Sequence, residues 1–574
     1  MRQLISWLLP LILLAGCVKP GPDGPSTTAP ATPDNLVVKA VTDNSATFQW
    51  DPVEGASFGW KIMKGSETVK NGVASGRNVT VDGLSAGTAY VFNVWSIIGS
   101  VSSGIASVEL TTTGTAGGSE NADAICADAP LVLKLDGTPV LGSSGCIKVF
   151  NSSDAEVDRI DLADLATVNV RSDGTFIPRE QIGAASVRNT FMDVLHSAKR
   201  WRTVHYTPLR IKGNSLEIKL HNDVLEFGKS YYVTVDESVA GKAVAKGEWA
   251  FSVKAKPSGN ILSVRQDGSG DFCTVQGALS YASTLPKADE VTIEIGSGSY
   301  NEMLFLRDKD NVTLKGASRN KTIISYPNNE SYCGGSGSSS SSKPEPGQKT
   351  GTSGGRGLWL VENCNNLVVQ DLTIENSFGE QKGQAEAIYF NSSSNSHRLT
   401  IESCNLLSYQ DTFLCKGEVW VHNSLIAGHC DFIWGYPKAC LFENCEIRAR
   451  AAGYIVQARV PSAAYKGFVF LNCKLSGEDG VKDGSMYLAR SAGQSDCYDN
   501  VVFIGCSMAS VIAPVGWYTS PPPNPAKPDA SAGWREYGST DASGKPLSGH
   551  NSLGIVLSES QAAAYSSKEA VLGW

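Results

Sequence analysis

Six short stretches in the C-terminal half limit what this chain can fold into: LVVQDLTIEN, LTIESCNLLS, VWVHNSLIAG, CLFENCEIRA, FVFLNCKLSG and VVFIGCSMAS. Each alternates apolar residues, breaks at one slot and resumes with another apolar residue. The slot holds Leu372, Cys404, Ser424, Cys445, Cys473 and Cys506, at spacings of 32, 20, 21, 28 and 33. No helical period accompanies the repeat, and the inserts between stretches vary in length. Self-similarity of this kind marks a chain wound strand over strand, a parallel β-helix, and right-handed winding is the expected hand. The four cysteines of the column are then inward-facing free thiols that behave as small hydrophobes.

The rest of the chain needs other domains, because 574 residues are several times a usual domain length. At the start, MRQLISWLLPLILLAGC sets Arg2 before an apolar run from Leu4 to Leu14. That run is too short to cross a bilayer and has the form of a secretion signal. Its end, Leu14-Ala15-Gly16-Cys17, resembles a bacterial lipoprotein signal, which implies lipidation of Cys17 within a 1–17 leader. The expectation is a secreted bacterial lipoprotein of the cell envelope, on the periplasmic or surface face of the outer membrane, anchored to the membrane by lipid and not spanning it. Residues 18–33, rich in Pro, Gly and Thr, read as a linker.

Residues 34–113 alternate at strand period through LVVKAV, SATFQW, FGWKIM, NVTVDGL, TAYVFNVWSI and ASVELTT. With Trp50, Leu84 and Tyr90 as core residues they resemble a fibronectin type III sandwich. Residues 120–256 contain CIKVFN, LRIKGNSLEIKL, KSYYVTVDES and GEWAFSVKA and resemble a bacterial Ig-like sandwich. The chain is therefore expected to be all-β, with a right-handed parallel β-helix over 260–574 preceded by two β-sandwich domains that serve as spacers or packing partners. Cys126 and Cys146 are the candidate disulfide outside the coils. An insert, Pro327–Gly357, reads as a flexible excursion from one coil, and its GTSGG lacks the strand and helix that would make Ser353 a nucleophile.

Charge and motif exclude several functions. The net charge is −8, and no Lys/Arg cluster supplies the patch that nucleic acid requires. His397, His422 and His429 lack the helical i, i+4 pairing of a metal site. No metal and no cofactor is expected.

The coil register brings two acids together. Asp411 lies seven residues after Cys404 and Asp431 seven after Ser424, so they share a position on neighbouring coils. Adjacent strands are about 4.8 Å apart, so two carboxylates there titrate as a pair and one keeps a proton. Such a pair serves either a retaining glycosidase or an acyl transfer in which carboxylate attacks an ester carbonyl. Gln410 beside Asp411, and Gln384 opening QAEAIYF on the preceding coil, offer amide donors to an oxyanion and favour ester hydrolysis.

These residues belong to a longer ordered set: DGSGDFCTVQGAL at 267–279, GSYNEMLFL at 298–306, then QAEAI, YQDTF and DFIWG, then YLAR at 487–490, PVGWY at 514–518 and REYGSTDASG at 535–544. In order and spacing they resemble the pectin methylesterases, carbohydrate esterases with a right-handed parallel β-helix, over roughly residues 260–545. The resemblance implies Asp431 as the nucleophile, Asp411 as general acid and then base, Gln384 and Gln410 as oxyanion donors, and Arg490 orienting Asp431. It implies a methyl-esterified pectin polysaccharide as partner and action as a monomer. Tyr409 and Trp434 are the candidate substrate contacts, and Trp434, which replaces a smaller aromatic residue of the family, is open equally to simple core packing. Where the family usually continues Arg-Pro-Trp this chain has Arg490-Ser491-Ala492, so a tryptophan that lines a sugar subsite is missing. The net negative charge implies repulsion of the acidic product. Competing readings are a β-helix depolymerase, either polygalacturonase or lyase, whose additional acids or basic residue are not evident, and a non-catalytic pectin-binding surface lipoprotein.

Overall fold

The computed structural model describes residues 29–42, 45–65, 67–84, 88–112, 124–163, 191–329, 339–343, 355–379 and 383–574. Cys17, most of the linker and most of the Pro327–Gly357 insert, Ser353 included, lie outside the described residues.

The first compact unit ends at Gly114. One of its antiparallel sheets pairs Val37–Val41, Ser45–Gln49 and Asn78–Asp82; the other holds Glu67–Ala74, Ser57–Lys64, Ala89–Ile98, Val101–Ser102 and Ala106–Thr111. Phe48 and Phe92 stack at 3.8 Å, Trp50 meets Phe58 edge-on at 5.4 Å, and Leu84 and Tyr90 join them in the core. The strand Glu67–Ala74 has no counterpart in the expected set. It lies at a sheet edge, so its sequence, ETVKNGVA, carries little of the apolar alternation that marks a buried face.

Residues 115–574 form the second unit. Three antiparallel sheets come first: Glu156–Asp161, Cys146–Asn151, Ser230–Val235 and Ala250–Ser252 in one, Leu209–Lys212, Ser215–Ile218 and Leu131–Lys134 in a second, and the pair Phe191–Ser197 and Arg200–Tyr206 in a third. Their inward residues, among them Leu133, Ile147, Leu216 and Val233, share one continuous apolar core with the coils that follow. Asp128 ties the two parts together. Its carboxylate accepts from the backbone N–H groups of Cys273 and Thr274 at 3.0 and 2.7 Å, just ahead of the helix Val275–Ala282. Cys126 and Cys146 are not bridged: Cys126 is buried against the Gly268 and Gly270 carbonyls, and Cys146 meets Asp161. A disulfide needs Cβ atoms that face each other, which spacing in sequence does not reveal.

From Ile261–Val264 to Gly554–Val556, 23 strands wind into one parallel β-helix. The pairs Thr373↔Asn405, Asn405↔Leu425, Leu425↔Glu446, Glu446↔Lys474 and Lys474↔Ser507 each fall one residue after the slot. Leu372, Cys404, Ser424, Cys445, Cys473 and Cys506 therefore stack in register, all buried, with the thiols free. The residue before each slot (Asp371, Ser403, Asn423, Asn444, Asn472, Gly505) has φ between +49° and +61°. Such a left-handed corner turns the coil, and Asp, Asn and Gly tolerate it best. The corner also explains the thiols. Cys404, Ser424 and Cys445 each donate to the carbonyl two residues earlier, at 3.2, 2.8 and 3.4 Å, as do Cys473 and Cys506. Each of these carbonyls also accepts a backbone N–H from the preceding coil, so the small slot side chain supplies a second donor to it.

Inside the coils Phe442, Phe470 and Phe503 pair in register and stack at 4.8 and 4.4 Å. Phe470→Ala empties the middle of this ladder and is expected to cost about 3–5 kcal/mol. Calorimetry of the whole chain should show the transition of the second unit lowered and that of the first unmoved.

Candidate active site

Isolated parallel pairings Gln384↔Gln410 and Gln410↔Cys430 place two glutamines in one column on successive coils. The next residues, Asp411 and Asp431, are thereby register neighbours, and Asp411 N–H donates to the Cys430 carbonyl at 3.0 Å. Both acids have left-handed backbones, φ +64° and +48°. Aspartate pays a modest strain there. In a regular strand Tyr409 and Asp411 would face one side and Gln410 the other; the left-handed turn at Asp411 lets Gln410 and Asp411 both line a cleft of ≈ 300 Å³.

Asp431 is gripped on both oxygens by Arg490, whose Nε donates to Oδ1 at 2.7 Å and Nη2 to Oδ2, a fork-on-fork pair. Gln457 Nε2 donates to Oδ2 at 2.9 Å. The amide of Gln457 is held in that sense by Arg459, whose Nε and Nη2 both donate to Oε1, at 3.1 and 2.6 Å. The orientation of Asp431 is thus set from two coils. The bonds to Asp431 in turn drive the Arg490 pKa above its ordinary value.

Asp411 stands in a different field. Burial pushes its carboxyl well above the usual range, the charges of Glu386 and Asp431 push the same way, and Arg356 and the Gln384 amide oppose them. Arg356 Nη2 donates to Asp411 Oδ2 at 3.0 Å and its Nε to Glu386 Oε1 at 2.9 Å. Its Nη1 donates to Gln384 Oε1, which leaves the N–H₂ end of that amide for other acceptors. Among the described residues no side chain bonds the Gln410 amide, which faces the cleft. Two acids in unlike surroundings, one pushed by burial toward its protonated form and one forked by a guanidinium, suit acid–base chemistry with a nucleophile.

Every residue expected at the site except Tyr409 lines this cleft. Tyr409 instead lies under the Arg450 guanidinium at 4.1 Å and against His429. Trp434 is buried yet lines the cleft, edge-on to Tyr389 at 6.1 Å and beneath Arg459 at 5.1 Å. Six residues are not anticipated by the sequence: Arg356, Tyr389, Tyr436, Gln457 and Arg459, which line the cleft, and Glu386 behind Arg356. Leu414↔Trp434↔Gln457 are register partners, but they lie ten, ten and twelve residues after their slots. Irregular register around Cys430 adds the two residues, so counting from the slot misses Gln457.

Residues 261–526 match the family model described as Pectinesterase, and residues 31–112 the one described as Fibronectin type III domain. Pectinesterase 31 of Arabidopsis thaliana is 31% identical over 265 residues, which are 45% of this chain and 76% of that protein. The chain belongs to the pectinesterase family. Pectinesterase QRT1 of the same plant is 29% identical over 267 residues, 45% of this chain and 64% of that protein, so the chain spans under two thirds of this relative. The solved pectin methylesterase from carrot shares 24% identity over 56% of this chain and 95% of its own, with a TM-score of 0.44. As a pectinesterase-family member the protein is a carboxylic ester hydrolase.

Ala492 stands at the place of the missing tryptophan and is half-buried, and the residue before it is tied inward. Ser491 is buried and its Oγ donates at 2.8 Å to Asp499, whose carboxyl burial raises to about 6. Aromatic surface beside Arg490 comes from Tyr454 on the preceding coil, 4.9 Å from the guanidinium, and from Tyr487 on the strand that leads into Arg490 and Tyr518, which cluster with Tyr454 at 5.7 and 4.8 Å.

Proposed function

We propose that this chain hydrolyses the methyl esters of pectin, releasing methanol and leaving free galacturonate carboxylates. The observation that carries the reading is the asymmetric acid pair: Asp431 forked by Arg490, and Asp411 buried beside two amide-bearing glutamines, where desolvation pushes its carboxyl upward. Asp431 attacks the ester carbonyl carbon, and the oxyanion of the tetrahedral intermediate receives hydrogen bonds from Gln384 and Gln410. The C–O bond to methoxy breaks as Asp411 delivers its proton, so methanol leaves and an anhydride joins Asp431 to the sugar. Asp411, now a carboxylate, takes a proton from water, which opens the anhydride and restores both acids.

The cleft also suits a polyuronate electrostatically. Arg356, Arg459 and Arg490 line it against Asp411 and Asp431, three cationic groups to two acids. Local charge of this sign supports binding of a partly de-esterified chain in spite of the net charge of −8. A single chain supplies every named group, which supports action as a monomer.

The test incubates the full chain with highly methylated homogalacturonan and follows methanol, reducing ends and unsaturated products together. Methanol without new chain ends is the expected result. New ends without methanol would make it a depolymerase, and silence in all channels would leave a binding protein. We further infer a lipid anchor at Cys17 on the cell envelope, supported by the leader Arg2, Leu4–Leu14 and Leu14-Ala15-Gly16-Cys17. Cys17→Ser should move the protein from the membrane fraction to the soluble one in a bacterial host.

A further inference from the structure

The segment read from sequence as a spacer or packing partner reaches the site. Arg202, on the strand Arg200–Tyr206, is fully buried, and its guanidinium is spent on main-chain carbonyls of the coil. Nη1 donates to Leu304 O at 2.6 Å and Leu358 O at 2.9 Å; Nη2 donates to Gly355 O at 3.2 Å and to Gly357 O. The same turn is held by Asn328, whose Nδ2 donates to the Gly355 and Gly357 carbonyls at 3.0 and 3.1 Å, and by Asn376, whose Nδ2 donates to Arg356 O and Glu386 O at 3.3 and 3.0 Å. Gly355 sits at φ +68°, and a Cβ on Gly357 would come within 3.2 Å of Tyr389. The turn 355–358 is thus fixed in place by partners on both sides, and the residue at its centre is Arg356.

Arg356 is where this bracing meets the chemistry. Its side chain is 6% exposed and bonds Asp411, Gln384 and Glu386, of which the Glu386 side chain is fully buried. We propose that Arg202 and Arg356 are positioning residues for ester hydrolysis: Arg202, from the upstream domain, sets the turn, and through it Arg356 aims the Gln384 amide and clamps the general acid Asp411. The upstream domain is then part of the working site and not only a spacer. The proposal rests on the ester-hydrolase reading above for its assay.

The charged and titratable neighbours of Asp411 are Arg356, Glu386, Asp431 with its Arg490, and Cys430, whose thiol burial drives to about 12. Arg356 opposes the upward push on Asp411, and Glu386 adds to it. Asp411 must carry a proton for methanol to leave, so its deprotonation gives the alkaline limb of kcat against pH. Drawing Arg356 away moves that limb to higher pH, and neutralising Glu386 moves it to lower pH, each by about one unit for a charge at this distance.

The experiment measures methanol release against pH for the full-length wild type, Arg202→Met, Arg202→Lys, Arg356→Met and Glu386→Gln. The expected result is an alkaline displacement in Arg202→Met in the same direction as in Arg356→Met, a smaller one in Arg202→Lys, and an acid displacement in Glu386→Gln. A stable Arg202→Met enzyme with its limb on that of the wild type overturns the proposal, because lost stability alone does not move a limb. If Arg202→Met fails to fold, coincidence of the Arg202→Lys and Glu386→Gln limbs with the wild type overturns it equally. Thermal unfolding against pH reads the same proton without turnover. A carboxyl raised in the folded state favours folding at low pH and loses that contribution as pH rises through its folded value. The wild type should show this fall, to which Asp193, Glu302 and Asp499 also contribute; Asp411→Asn should lose one carboxyl's share of it, and Arg202→Met should carry that share to higher pH. A wild type that releases no methanol refutes the ester-hydrolase reading alone, and the unfolding series then decides the positioning role.

Discussion

Replacing Asp431 by Asn is expected to lower kcat on methyl-esterified homogalacturonan by about four orders of magnitude or more, the scale seen when a covalent nucleophile is removed. The amide keeps the shape and one acceptor oxygen, so the cleft should still bind the polymer. It cannot attack a carbonyl, and its N–H₂ group meets the Arg490 fork and the Gln457 donor, which both need an acceptor. The result to look for is lost turnover with polymer affinity retained, by methanol assay and by binding to the same substrate. Turnover within tenfold of the wild type would remove Asp431 as nucleophile and leave a role for water activated by the other acid.

Asp411→Asn is expected to lower kcat by about 10²–10⁴, the usual range for a general acid–base group. Without its proton, methoxide rather than methanol must leave, and in the second half-reaction no base takes a proton from water. The alkaline limb should vanish together with the rate, since the group whose deprotonation makes it is gone. The two half-reactions can be separated with an ester bearing a better leaving group, such as an aryl ester. Its expulsion needs less help, so acylation should recover while release of the acid stays slow, giving a burst of alcohol. Equal losses on both esters would place Asp411 outside the proton transfer.

The coil was legible because a parallel stack repeats the same environment. The slot column and the Asp411/Asp431 pairing follow from counting residues between corners, and each corner has its own left-handed residue that holds the count constant. Tyr409 shows where counting fails: alternation along a strand assigns it to the Asp411 side, and one positive φ changes which neighbours share a face. Gln457 and Arg459 were hidden by two residues of irregular register. Arg356 was hidden in an insert of low complexity, and Glu386 sat inside a quoted motif without evident purpose, because a buried acid makes sense only beside the guanidinium that neutralises it.

By itself, the sequence determined the all-β architecture, the coil register and the identity of the acid pair, since these depend on periodicity and on residues related by a nearly constant repeat. Only the tertiary structure decided the local sign of charge in the cleft, the protonation partner of Asp411 and the reach of Arg202 into the turn that holds Arg356. Those contacts join positions up to 156 residues apart. No local pattern encodes them, because they join residues far apart in sequence that pack side by side and bury the same polar groups.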